Sequence, residues 1–169
     1  GIVSRGYGGK FNTTLEVNNA TTYKQTGDEA QILSKLNTPF FLDKDRARGV
    51  KKLIEKYPNT DVILSDDGLQ HYNLDRDIEI AVIDGKRRFG NKLLLPAGPL
   101  RESRNRLKNV DFIVNNGGPA EDNEYLMSFL PSKFVHLNSG KSYSIDNWPM
   151  HNKVHAVAGL GLSLIHISE

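Results

Sequence analysis

Val62-Ile63-Leu64-Ser65-Asp66-Asp67-Gly68-Leu69-Gln70-His71 runs apolar for three residues and then presents two adjacent carboxylates. A short, continuously apolar run reads as a strand covered on both faces, as in a parallel sheet. Ligands of open α/β sheets sit at the carboxyl ends of such strands. Two hard oxygen donors there suit Mg²⁺, which neutralises phosphate charge in transfer reactions. The same letters admit a plainer reading, because Asp67-Gly68 between apolar runs is a type I′ hairpin signal and His71 can be a turn residue packed on Tyr72. Spacing leaves both open.

Working outward, further strands are expected at Ile2–Ser4, Pro39–Leu42, Asp61–Ser65, Ile78–Ile83, Asp111–Val114, Phe134–Leu137 and Val154–Val157. Between them, Ala47, Val50, Leu53, Ile54 and Tyr57 recur at three and four residues, the stripe of an amphipathic helix, which Pro58 ends. Helices are also expected over Asp28–Leu36, Glu102–Leu107 and Asp122–Phe129, and residues 138–152 read as a long loop. Strands alternating with helices give an α/β class: a mostly parallel sheet with crossover helices on both faces.

Composition narrows the function. The 169 residues suffice for one domain with a core, and the absence of cysteine excludes disulfides, thiolate metal sites and thiol nucleophiles. No apolar run reaches the roughly 20 residues of a membrane span. With 22 basic and 20 acidic residues the net charge is +2, far from the basic footprint of a nucleic-acid binder, so no nucleic-acid partner is expected. The chain opens on Gly1 and enters a strand with no preceding turn, which reads as a piece of a longer protein. Leu162–Glu169 resembles the translation of a transposase-end adapter used in sequencing libraries, so residues 1–161 are taken as the domain and 162–169 as a non-native tail.

Other segments carry possible chemistry. Gly27-Asp28-Glu29 opens a helix, where acids offset the helix dipole as readily as they catalyse. Arg5-Gly6-Tyr7-Gly8-Gly9-Lys10 follows the first strand as a flexible basic loop, yet the P-loop spacing GxxxxGK[ST] is absent and no cofactor-binding residue is assigned. Lys86-Arg87-Arg88 follows a strand and precedes Leu93-Leu94-Leu95-Pro96-Ala97-Gly98-Pro99-Leu100-Arg101-Glu102. Arginine suits bidentate phosphate contact, but a solvated basic loop fits equally.

The order of these pieces, Val3-Ser4-Arg5-Gly6-Tyr7-Gly8-Gly9, Gly27-Asp28-Glu29-Ala30, Asp45-Arg46, the Asp66–His71 motif, the Pro96–Glu102 motif and Ala156–Gly161, resembles the tetraacyldisaccharide 4′-kinase family of lipid A biosynthesis from Gly1 to about Gly161. The resemblance implies a P-loop-NTPase-like fold, and ATP-dependent phosphorylation of the 4′ hydroxyl of a tetraacylated glucosamine disaccharide 1-phosphate. It also implies Mg²⁺, peripheral association through an N-terminal helix with the cytoplasmic face of the bacterial inner membrane, and a P-loop upstream of the first strand. A further domain is implied downstream. By the same resemblance Asp28 is the catalytic base and Glu29 a supporting or metal-proximal carboxylate. Asp66 and Asp67 are Walker-B-like acids, Gln70 and His71 complete that motif, and Arg101 pairs with Glu102. Asp67 and Glu102 are the expected metal residues. Without its P-loop the chain alone is expected to be inactive.

Two rival readings stay open. One is a metal-dependent phosphatase or nuclease using Asp66, Asp67 and His71 with a nucleophilic water. The other is a noncatalytic module that holds an anionic lipid or polynucleotide on Lys86, Arg87 and Arg88.

Overall fold

The computed structural model describes residues 1–147, and they fall into two compact units, Gly1–Met127 and a second beginning at Ser128. In the first unit the elements in chain order are β1 (Ile2–Ser4), β2 (Leu15–Glu16), α1 (Tyr23–Thr26), α2 (Asp28–Leu33), β3 (Phe40–Leu42), α3 (Arg46–Lys56), β4 (Leu64–Ser65), β5 (Ile80–Asp84), β6 (Phe112–Asn116) and β7 (Glu124–Met127), with 3₁₀ turns at Ser34–Leu36 and Arg104–Asn109. One sheet has the order β2-β3-β1-β4, in which β1 lies parallel to both β3 and β4 and only the edge strand β2 is antiparallel. A second sheet, β5-β6-β7, is parallel throughout.

The sequence explains the first sheet directly. Ile2 and Val3 on β1 and Phe40, Phe41 and Leu42 on β3 are consecutive and buried, the pattern of strands covered on both faces. Ile2, Phe40 and Leu42 pack with Ala30 and Leu33 of α2, whereas Val3 and Phe41 pack with Val50 and Leu53 of α3. The helices therefore cover opposite faces of a mostly parallel sheet, the expected α/β arrangement.

α3 begins where Asp45 accepts a hydrogen bond from the Arg48 amide at 3.2 Å, an N-cap that satisfies one of the helix's orphan donors. Its interior glycine has a packing reason. A Cβ at Gly49 would sit 3.1 Å from Val3 Cγ1 and 3.2 Å from Asp43 Cβ, so the residue permits the helix to lie close on β1 and the end of β3.

Several expectations change on contact with the structure. Asp122–Phe129 forms the strand β7, paired with β6, rather than a helix. Over the expected helix Glu102–Leu107, Glu102 is a bend and Ser103 extended, followed by a 3₁₀ turn over Arg104–Asn109. In the second unit β8 (Lys133–Val135) overlaps the expected strand at Phe134–Leu137, and β9 (Ser142–Ser144) forms within the predicted loop as its hairpin partner, with Phe134 opposite Tyr143. The Asp67-Gly68 signal does mark a turn, with Asp67 at φ 48°, but β4 pairs with β1 rather than with a following strand. The expected strand Val154–Val157 and the tail 162–169 lie outside the described residues.

Candidate active site

β1 and β4 end side by side, and their register brings Ser4 next to the acidic motif: its hydroxyl lies 3.3 Å from Asp66 Oδ2. Asp66, Asp67 and Gln70 are exposed at this strand end. The Pro96–Glu102 motif joins them. Arg101 Nη1 is 3.6 Å from Asp67 Oδ2, Gln70 Nε2 donates to Glu102 Oε2 at 3.2 Å, and the Tyr72 hydroxyl donates to Glu102 Oε1. Arg76 and Arg106 each lie within 6 Å of the Tyr72 ring, at 5.8 and 5.9 Å from its centroid. The Tyr72 hydroxyl hydrogen bond lowers the Glu102 pKa below the usual carboxylate range; burial opposes this, and Gln70, Arg106 and Arg76 add to it. Glu102 is thus an anion whose oxygens are both engaged.

His71 is placed differently from a free acid or base. Its Nε2 accepts the Arg46 backbone N–H at 3.2 Å, which ties the end of the motif to the first turn of α3. Beneath the motif lies the Arg46 side chain, 4% exposed, whose Nη2 donates to the Asp66 and Asp67 carbonyls at 2.8 and 2.9 Å. Burial pulls its guanidinium pKa below the ordinary value, an effect that Asp67 and Asp66 oppose and Arg5 reinforces.

Asp28 and Glu29 belong to α2, which packs on β1 and β3 through Ala30 and Leu33. Both are exposed at the start of α2, and Asp28 Oδ1 accepts the Glu29 amide at 3.1 Å. The loop after β1 reaches them: a Cβ at Gly27, where φ is 83°, would overlap the Tyr7 carbonyl oxygen. Only glycine lets the two backbones approach this closely. The structure therefore brings the two motifs together through the exposed Asp67–Arg101 ion pair and the Gln70–Glu102 hydrogen bond, with Asp66 bonded to Ser4, while the one hydrogen bond given for Asp28 is to the Glu29 amide.

Three residues of this region were not legible as site residues. Asp43, buried at the end of β3, accepts from Thr14 at 2.5 Å, from the Asp45 amide at 2.9 Å and from Arg48 in bidentate fashion at 2.8 and 2.6 Å. Burial opposes its charge, yet these bonds keep its pKa below the usual carboxylate value. Tyr72 and Arg46 are the others. Their partners are 20 to 30 residues distant in sequence, beyond the reach of any local pattern.

The basic run Lys86-Arg87-Arg88 does not act as a unit. Arg88 is committed to Glu124, with two hydrogen bonds of 2.8 Å, and to Glu121 at 2.8 Å; Lys86 and Arg87 remain exposed.

The donor set bears on a metal. Among the described residues no three Asp, Glu, His or Cys side chains converge as a closed metal cage. Mg²⁺ seldom uses one, binding instead through one or two carboxylates, waters and substrate phosphates. Asp66 and Asp67, exposed and adjacent on a strand end, fit that mode; Glu102 accepts one hydrogen bond on each oxygen, from Gln70 and Tyr72, and keeps lone pairs for an ion.

Comparison with known proteins follows this geometry. The family model described as tetraacyldisaccharide-1-P 4′-kinase matches residues 1–163. The chain is 44% identical over 162 residues to a tetraacyldisaccharide 4′-kinase of Methylobacillus flagellatus, covering 95% of this chain and 48% of that protein. It is 46% identical over 163 residues to the one from Vibrio cholerae El Tor Inaba N16961, covering 95% and 47%. The crystal structure of LpxK from Aquifex aeolicus in complex with ATP superimposes with a TM-score of 0.70 at 29% identity, over 86% of this chain and 49% of that one. The chain spans about half the length of the curated relatives it matches.

Proposed function

The chain belongs to the tetraacyldisaccharide-1-P 4′-kinase family, and from that premise we propose that it carries the acidic half of an active site that transfers the γ-phosphoryl group of ATP to the 4′ hydroxyl of a tetraacylated glucosamine disaccharide 1-phosphate. The observation that carries the reading is the joining of the Asp66–His71 and Pro96–Glu102 motifs through Asp67–Arg101 and through Glu102 with Gln70 and Tyr72. Two motifs about 30 residues apart meet at one strand end, where phosphoryl transfer needs metal-binding acid and compensating cation together.

In this mechanism Asp28 accepts the proton of the 4′ hydroxyl as its oxygen forms the new bond to phosphorus and the bond to the ADP oxygen breaks. Glu29 supports Asp28. Asp66 and Asp67 hold Mg²⁺ when it is bound, and the ion supplies neutralisation of phosphate charge. Arg101, paired with Asp67 at 3.6 Å, would offset the charge that develops on the transferred phosphate. Gln70 and Tyr72 fix Glu102, which supports the metal side, and His71 fixes the turn through the Arg46 amide. GxxxxGK[ST] does not occur in residues 1–169, so the phosphate cradle of such a kinase is not supplied by this stretch. Action at the cytoplasmic face of the inner membrane, on a lipid rather than a nucleic acid, belongs to the same proposal.

The test is a chimera in which residues 1–161 replace the aligned segment of the Vibrio cholerae relative. Transfer of label from γ-³²P-ATP to the disaccharide lipid is expected. A folded chimera that transfers none, beside an active parent, overturns the assignment.

A further inference from the structure

Arg46 has a place in the site that the mechanism above does not use. Its side chain is buried without a hydrogen-bonded carboxylate, and its Nε has no hydrogen-bond partner. A guanidinium taken out of water in this way is costly unless its geometry is needed. What it does is grip the acidic motif at both ends. Nη2 binds the Asp66 and Asp67 carbonyls at 2.8 and 2.9 Å, and the same residue's amide binds His71 Nε2 at 3.2 Å. Arg76 continues the series from the other side, with Nη1 at 2.7 Å from the Gly68 carbonyl and 3.4 Å from that of Leu69.

Four successive carbonyls, from residue 66 to residue 69, are therefore pinned by two guanidinium groups. Each peptide is planar, so fixing a carbonyl fixes the dihedral angles beside it and hence the direction of the neighbouring Cα–Cβ bonds. The grip matters most at Asp67, whose φ of 48° is one a non-glycine residue keeps only when its surroundings impose it.

We propose that Arg46 is a positioning residue for phosphoryl transfer, aiming the Asp66 and Asp67 carboxylates by pinning their carbonyls, with Arg76 holding the second half of the turn. The proposal rests on the kinase reading of this site, and its test separates the two. In the Vibrio chimera, Arg46→Lys, Arg46→Gln, Asp67→Asn and the double variant Arg46→Gln/Asp67→Asn are compared by Mn²⁺ titration followed by electron paramagnetic resonance, with thermal melting and ATP turnover alongside. Loss of a group that orients a metal ligand typically costs 10- to 100-fold in metal affinity. The Mn²⁺ dissociation constant is expected to rise at least tenfold in Arg46→Gln, less in Arg46→Lys, and less than threefold further when Arg46→Gln is added to Asp67→Asn, since the aimed carboxylate is already gone.

Mn²⁺ binding within twofold of the parent in a folded Arg46→Gln protein, or full additivity with Asp67→Asn, overturns the proposal and leaves Arg46 as packing only. If Arg46→Gln does not fold, Arg76→Gln decides, with an expected loss of about fivefold against a refuting change of less than twofold. A chimera that binds Mn²⁺ but transfers no phosphate counts against the kinase reading alone, because the Arg46 comparison is read from metal binding.

Discussion

Replacing Arg88 with Met tests whether the basic run after β5 is structural or an anion site. Glu124 on β7 has a side chain only 6% exposed, and it accepts two hydrogen bonds from Arg88, one from Asn115 Nδ2 at 2.9 Å and one from the Glu121 amide at 3.0 Å. Arg88 foremost, then the Glu121 amide, against the opposing effect of burial, draws its pKa from 4.5 down to about 2. A displacement of that size corresponds to about 3 kcal/mol at neutral pH. Arg88 is 23% exposed and the pair is partly screened, so the expected loss in Arg88→Met is about 1 to 2 kcal/mol. The sign follows from a depressed carboxylate: the stabilisation is present above about 4.5 and is lost as pH falls through about 2, below which folded and unfolded chains both bind the proton. Urea unfolding followed by circular dichroism at pH 7 should therefore show the midpoint of Arg88→Met lowered by about 0.5 to 1 M, taking a slope of about 2 kcal/mol/M. The gap between variant and parent should close as pH falls through about 2. A difference below 0.5 kcal/mol at pH 7, or one that persists unchanged at pH 2, refutes the reasoning and returns Arg88 to the pool of free cations.

Three further outcomes are expected. In the Vibrio chimera, Asp28→Asn should lower kcat by about 10²- to 10⁴-fold while the melting midpoint stays near that of the parent; a loss below tenfold with clear destabilisation would make Asp28 a helix-start residue and nothing more. Tyr72→Phe removes the largest influence lowering the Glu102 pKa, so carboxyl NMR should show Glu102 titrating at higher pH, with about 0.5 to 1 kcal/mol of stability lost at this half-exposed position; an unmoved titration would show that the hydroxyl is not bound there. Gly27→Ala forces a side chain into the Tyr7 carbonyl at a positive φ and should cost about 2 kcal/mol or more by thermal unfolding, with an indifferent result contradicting the contact between loop and helix.

The sequence carried the parts of the fold whose signals are local. β1 and β3 could be read because their apolar residues are consecutive, and α3 because its stripe keeps a helical period up to Pro58. β7 could not. Asp122-Asn123-Glu124-Tyr125-Leu126-Met127 opens on an acid and continues with good helix formers, yet its parallel register with β6 and the bonds of Glu124 to Arg88 and Asn115 bind it as a strand. Helix propensity amounts to a few tenths of a kcal/mol per residue, less than such tertiary bonds. β2, only two residues long, carries too little pattern to stand out. At the site, the motifs were legible as motifs, but their union was not: Tyr72 with Glu102 and Arg46 with Asp66 are contacts across folded space, and Asp45-Arg46, although part of the ordered pieces, carries no local sign of what Arg46 binds.

That distinction bears on how the proposed machinery is held. Residues 66–76 and 101–102 are cross-tied by Asp67–Arg101, by the Glu102 bonds and by the two guanidinium groups beneath the turn, so the metal side behaves as a single braced piece. Asp28 belongs to a different piece, built from α2 and the loop after β1. The two share one mount. Ser4 ends β1 with its hydroxyl against Asp66, and Tyr7, three residues on, has its carbonyl seated against Gly27. β1 is buried on both faces between α2 and α3, a close-packed support on which the proposed mechanism would set its base relative to a phosphate. Precise placement of that kind is what phosphoryl transfer requires, since misplacement by an ångström can cost about 10²-fold. The burial of β1 thus belongs to the proposed mechanism: its hydrophobic residues fix the strand end to which Ser4 and the loop contacting Gly27 are attached.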